Sequence, residues 1–257
     1  MAEANVLYVG ITDFMAIAQV EDMRGEVRGL SGHVLHVGVM ASYKTIRGIP
    51  NRWPNRFPPC RNIASIFRPH EKVFNVLHYA STEDLDDLLP QLQSAGSVGG
   101  PNMQGLQLDI CWPDPEAVLA YQGMHPEIKI ILQVGPKAMR QMDLDPKKIA
   151  DRIVREYPTV DYALLDNSAG RGVGMDWTTL RRYILELRTA GYKHAITVAG
   201  GLGPHSLHLV APLVREFPDI SIDAEGALRK HPDDPVDWEM ARSYLRQALR
   251  LFSSGAA

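Results

Sequence analysis

Cysteine is scarce in this 257-residue chain: Cys60 and Cys111 form no CxxC pair and no Cys/His metal spacing. Two isolated thiols suggest a reducing compartment, each reading as a buried side chain. A basic excess is also missing. The 27 Lys and Arg against 30 Asp and Glu leave a formal charge of −3. That balance argues against general binding to nucleic acid or to an anionic membrane surface, both of which need a basic face. No apolar run approaches the roughly 18 residues a membrane span requires. The opening MAEANVLYVG has no basic segment followed by a long apolar core, so no secretory leader is expected and a cytoplasmic location is. Low-complexity segments and long linkers are absent, and one domain over residues 1–257 is the expectation.

What is present is an alternation. Short apolar, β-branched runs occur at residues 5–11, 33–40, 72–79, 103–110, 127–134, 160–166, 193–199 and 219–224. Several are apolar at every position, as parallel strands covered on both faces would be. Amphipathic stretches such as WTTLRRYILELRTAG and SLHLVAPLVREFP separate them, and Pro212 in the latter predicts a kink or break. A last helix is expected over 237–252. Eight strands alternating with helices in this length predict a single (β/α)8 barrel, a TIM barrel, with a doubly wound open sheet as the alternative. One connection is long. Residues 41–62 carry Lys44, Arg47, Arg52, Arg56 and Arg61 with Trp53 and Phe57. Such a segment suits a lid over an anionic, partly aromatic ligand, or else a subunit contact of a homodimer.

Three motifs then stand in order: LLDNSAGRGVGMDW (164–177), ITVAGGLGPHSL (196–207) and SIDAEGALRK (221–230). Glycine lets backbone N–H groups approach an anion closely. Gly172, Gly174, Gly200, Gly201 and Gly226 are therefore candidate phosphate-binding positions, with Arg47 as a candidate ligand-binding cation. The ordered set resembles phosphoribosylanthranilate isomerase, a phosphate-binding barrel of tryptophan biosynthesis that performs an Amadori rearrangement. The resemblance is densest over residues 160–230, with fainter echoes in GLQLD and YVGITDF. It implies a phosphorylated ribose-type substrate, no cofactor, and Asp166 as general acid on the sugar ring oxygen. It also implies a cysteine base in strand one, where this chain has Val9.

A substitute base must come from another strand end. The candidates are Asp13, His36, His78, Asp109, Asp166 and Glu225, with His36 and Asp109 foremost. Gln107 and Asp109 share a face by the two-residue period of a strand. HVLHVGVM and VLHY are also similar to ribulose-phosphate 3-epimerase, whose strand-two and strand-three histidines help bind a metal. The acidic partners of that site would fall at Gly38 and Ala199 here, so no metal is expected. Lys72, Lys129 and Lys193 lie near strand starts, away from the rim where a Schiff-base lysine would act. Three functions follow: a phosphosugar isomerase, a metal-dependent epimerase or lyase on the same scaffold, and a non-catalytic phosphosugar binder.

Overall fold

The computed structural model describes residues 5–27, 32–166 and 176–254. Eight parallel strands close on themselves in sequential order: β1 (Leu7–Thr12), β2 (His33–Ser42), β3 (Val73–Ala80), β4 (Gly105–Asp109), β5 (Lys129–Val134), β6 (Tyr162–Asp166), β7 (Ala195–Ala199) and β8 (Ile220–Ala224). The expected (β/α)8 barrel is what the chain forms. β8 closes the circle on β1, with Gly10 opposite Asp223.

Two residue layers explain the closure. Val9 and Ile11, Leu35 and Val37, and Val198 and Ile222 point outward and are fully buried under the helices. Tyr8, Phe74, Ile131, Tyr162 and Leu164 point inward and form a second apolar cluster. Tyr8, Phe74 and Tyr162 pack with ring centroids 5.5–5.8 Å apart, plugging the lower barrel. The Thr197 hydroxyl donates to the Tyr8 oxygen at 2.9 Å, so this aromatic layer keeps its polar tip satisfied.

The helices follow their sequence signals. In α8 (Trp177–Thr189), Asp176 accepts from the Thr178 and Thr179 N–H groups at 3.2 Å, and Trp177 packs against the core. Pro212 does not break α9 (Leu207–Glu216). The carbonyl deprived of its donor belongs to His208, which is exposed, so water can satisfy it. β2 runs two residues beyond the expected end, to Ser42. There it meets the short α2 (Tyr43–Ile46), where Ser42 Oγ accepts from the Thr45 N–H and donates to Asn51 Oδ1. The long connection is thus anchored at its start, and it re-enters regular structure at α3 (Cys60–Ile66). No helix among the described residues is long and apolar enough to cross a membrane.

Candidate active site at the C-terminal rim

Above the aromatic plug the barrel interior turns polar. The inward positions of β2, β3, β4, β5, β6 and β8 are His36, His78, Gln107, Gln133, Asp166 and Asp223, and all but Gln133 are buried. A hydrophobic barrel would be more stable with apolar groups here, so this layer is where function is expected.

His36 lies flat on Tyr8, ring centroids 4.7 Å apart, and is wholly buried. Neither ring nitrogen has a hydrogen-bond partner; Nδ1 is 3.8 Å from Asp223 Oδ1. Burial pulls its pKa down to about 3, with repulsion from His78 assisting. The neighbouring Asp223 moves the opposite way. Burial pushes its carboxyl up to about 7, against the pull of His78 and a 3.1 Å hydrogen bond from the Ala224 N–H, and Asp166 and Asp13 add repulsion. The pair therefore rests as a neutral imidazole beside a carboxyl that titrates near neutrality.

Gly10 makes the room for this pair. A Cβ there would lie 2.1 Å from Asp223 Oδ1 and 3.0 Å from His36 Nδ1. This corrects the reading of strand one: Val9 faces the helices, and the inward position at this height is Gly10.

On the other side, Gln107 Nε2 donates to Gln133 Oε1 at 2.8 Å and lies 3.3 Å from His78 Nδ1. The other ring nitrogen of His78, Nε2, lies 3.8 Å from Asp109 Oδ2.

A small cavity of about 20 Å³ sits over this layer. His78, Asp166, Asp223 and Glu225 line it together with Gly200, Gly201 and Gly226. Gly200 and Gly201 take φ of 125° and 64°, a backbone turn that side-chain-bearing residues rarely adopt. The Ser206 hydroxyl fixes this turn, donating to the Gly201 carbonyl at 2.6 Å and accepting from the Gly203 N–H. The cavity shares Gln133, Asp166 and Glu225 with a larger cleft of about 430 Å³. Trp53, Phe57, Asp109 and Cys111 line that cleft, with Arg56, Lys137 and Arg140 as its cations.

The long connection reaches the rim through Arg56. Its Nε donates to Asp13 Oδ2 at 3.1 Å and its Nη2 pairs with Glu225. The buried Arg229 pairs with Asp13 from the β8 side, and Trp53 Nε1 donates to Asp233 at 3.1 Å. Asp13 is held at a φ of 83°, a conformation uncommon for a non-glycine residue, between two guanidinium groups.

Of the residues singled out in the sequence, Asp166, Gly200, Gly201, Gly226 and Glu225 converge on the small cavity. His36 lies beneath it. Asp109 belongs to the outer cleft. Arg47 is not at the rim: its guanidinium stacks over Tyr43 at 4.0 Å in a separate hollow between α2 and α4 (Leu88–Gly99). The turn of α2 carries it outward, and the arginine of this connection that lines the cleft is Arg56. Gly172 and Gly174 lie outside the described residues. Among the described residues, no three His, Cys, Asp or Glu side chains are grouped to hold a metal ion. The sequence reading missed Asp223, Arg229 and Gln133. The signal for Asp223 was available: Ser221, Asp223 and Glu225 alternate with apolar residues, which places all three on one face.

No protein-family model and no curated protein matches the sequence. Among solved structures, the chain is similar to tryptophan synthase subunit alpha from Legionella pneumophila str. Paris, at 13% identity and a TM-score of 0.58, covering 97% of this chain and 93% of that one. It is also similar to QR15, an aldolase, at 9% identity and TM-score 0.53, with 97% of each chain covered. Rubisco from Pyrococcus horikoshii OT3 matches at 16% identity and TM-score 0.55, over 98% of this chain and 58% of that one. Identities this low show the barrel fold; chemistry has to be argued from the site.

Proposed function

We propose that the chain is a phosphosugar isomerase, resembling phosphoribosylanthranilate isomerase in the reaction it performs on a phosphorylated ribose-type substrate. One observation carries the reading. The Asp166 and Asp223 carboxyls and the glycine turns after β7 and β8 line a single cavity at the C-terminal rim, where barrel enzymes place their catalytic groups. The turns at Gly200, Gly201 and Gly226 offer close backbone approach to a terminal phosphate. Glu225 would oppose an anion there, but its charge is taken up by Arg56. Asp166 acts as the general acid on the ring oxygen. The Trp53 and Phe57 side and the Lys137 and Arg140 cations of the outer cleft suit an aromatic or carboxylate substituent on the sugar.

The test is turnover of phosphoribosylanthranilate, followed by loss of its fluorescence. Asp166→Asn keeps the shape of the side chain and removes its proton chemistry, so kcat is expected to fall by about 100-fold or more. Wild-type activity in that variant would defeat the assignment of the acid.

A further inference from the structure

We infer that Asp223 is the general base of this site, accepting the proton of the sugar carbon next to the one whose ring bond Asp166 opens. This rests on the phosphosugar isomerase reading and adds the group that reading lacks.

The geometry narrows the choice. On β1 the inward residues are Tyr8, Gly10 and Thr12, and the Tyr8 hydroxyl is committed to Thr197 and driven to high pKa by burial. His36 is sealed under the cavity with no exposed surface, and burial leaves it a very weak base. Asp109 lines the outer cleft but not the small cavity. Glu225 is paired with Arg56. Asp223 lines the cavity beside the glycine turns, with Ala199 as its strand partner, shares that lining with Asp166, and projects into the space that Gly10 leaves open beside it. The buried His78 also lines the cavity, and its Nε2 has no hydrogen-bond partner, as befits a group waiting for a ligand oxygen. Burial, His78 from β3, the Ala224 N–H, Asp166 from β6 and Asp13 beyond β1 shift Asp223. His36 from β2, Tyr8 from β1 and Tyr244 from the last helix (Trp238–Ser254) also lie near it. With so much burial and acidic company the carboxyl titrates close to neutrality, where a base is most effective.

The proton ledger closes with these two carboxyls. For a ribosylamine, Asp166 delivers its proton to the ring oxygen as the C1–O bond breaks and the nitrogen lone pair forms a C1=N iminium. The Asp223 carboxylate then takes the C2 proton. The C2–H electron pair becomes the C1=C2 bond, and the iminium electrons return to nitrogen, giving an enaminol. Asp223 gives the proton back at C1 while the C2 hydroxyl proton passes to Asp166 and C2 becomes a ketone. Both carboxyls end as they began.

The experiment compares wild type, Asp223→Asn and Gly10→Ala. It measures kcat and KM on phosphoribosylanthranilate from pH 5.5 to 9, and calorimetric binding of ribose 5-phosphate. Asp223→Asn should lose about 100-fold or more in kcat while its affinity for ribose 5-phosphate stays within about threefold. The wild-type kcat/KM should rise through an apparent pKa near 7, and that limb should be missing from the variant's residual activity. Gly10→Ala places a methyl where the carboxylate sits, so it should lower kcat in a protein that still unfolds cooperatively. Wild-type kcat or an unchanged pH limb in Asp223→Asn overturns the base alone. A wild type that binds ribose 5-phosphate but converts no phosphoribosylanthranilate overturns the isomerase reading and the base together.

Discussion

At the scale of single residues, the upper barrel is governed by what burial does to charge. Asp223 has an ordinary pKa of 3.8 and a folded value of about 7, so between those values the folded state holds a proton that the unfolded chain has released. Its contribution to stability is therefore full below about pH 4 and lost as pH rises to 7. His36 works in the opposite sense. Its ordinary value of 6.5 falls to about 3, so the unfolded chain is the better proton binder, and stability rises with pH across that window. The two trends oppose each other between pH 4 and 6.5, and above that only Asp223 changes. Asp223→Asn removes its half of the balance. Relative to wild type, the variant should gain on the order of 2 kcal/mol between pH 5 and pH 8. Urea unfolding at both pH values measures this, and a difference independent of pH would show that Asp223 is not titrating as described.

Among the elements, the connection between β2 and α3 carries the most consequence. It reaches the rim through the half-buried Arg56, paired with Asp13 and Glu225, and through Trp53 on Asp233. Arg56→Ala would leave two carboxylates with one fewer cation and release the connection from the cleft. KM should rise by roughly tenfold, with a lower thermal midpoint, because breaking one partner of a buried ion pair is strongly destabilising. An unchanged KM would place the ligand away from this connection. A smaller effect belongs to α8. Asp176 caps its first turn, and Asp176→Ala should cost about 1 kcal/mol of stability in denaturant unfolding without altering substrate affinity. A change in KM there would instead give Asp176 a role at the site.

At the scale of the whole molecule, most of the architecture was legible because parallel strands buried on both faces leave continuous apolar runs. HVLHVGVM, EIKIILQV and VDYALLD each announced a strand within two residues of its observed limits at the C-terminal side. That Asp166 and the glycines at 200, 201 and 226 meet at one end of the barrel was legible because they stand at or just beyond the C-terminal ends of β6, β7 and β8. What the sequence concealed was direction. Whether Val9 or Gly10 faces inward depends on the closure of β8 against β1, a contact more than 200 residues apart in the chain. Asp223 was legible in part, since it alternates with Ser221 and Glu225 on one face of its strand, but that this face lines the interior beside Gly10 emerges only once the barrel closes. Arg56 lines the cleft and Arg47 does not because α2 turns one outward and the connection folds the other back over the rim.

On the proposed function, the rim cavity carries out proton transfer on a phosphorylated ribose. The most direct measurement is the fluorescence-monitored turnover of phosphoribosylanthranilate by wild type and Asp166→Asn side by side. Conversion by the wild type and its loss in the variant are expected. A folded wild type that converts nothing, or a variant as fast as wild type, would contradict it.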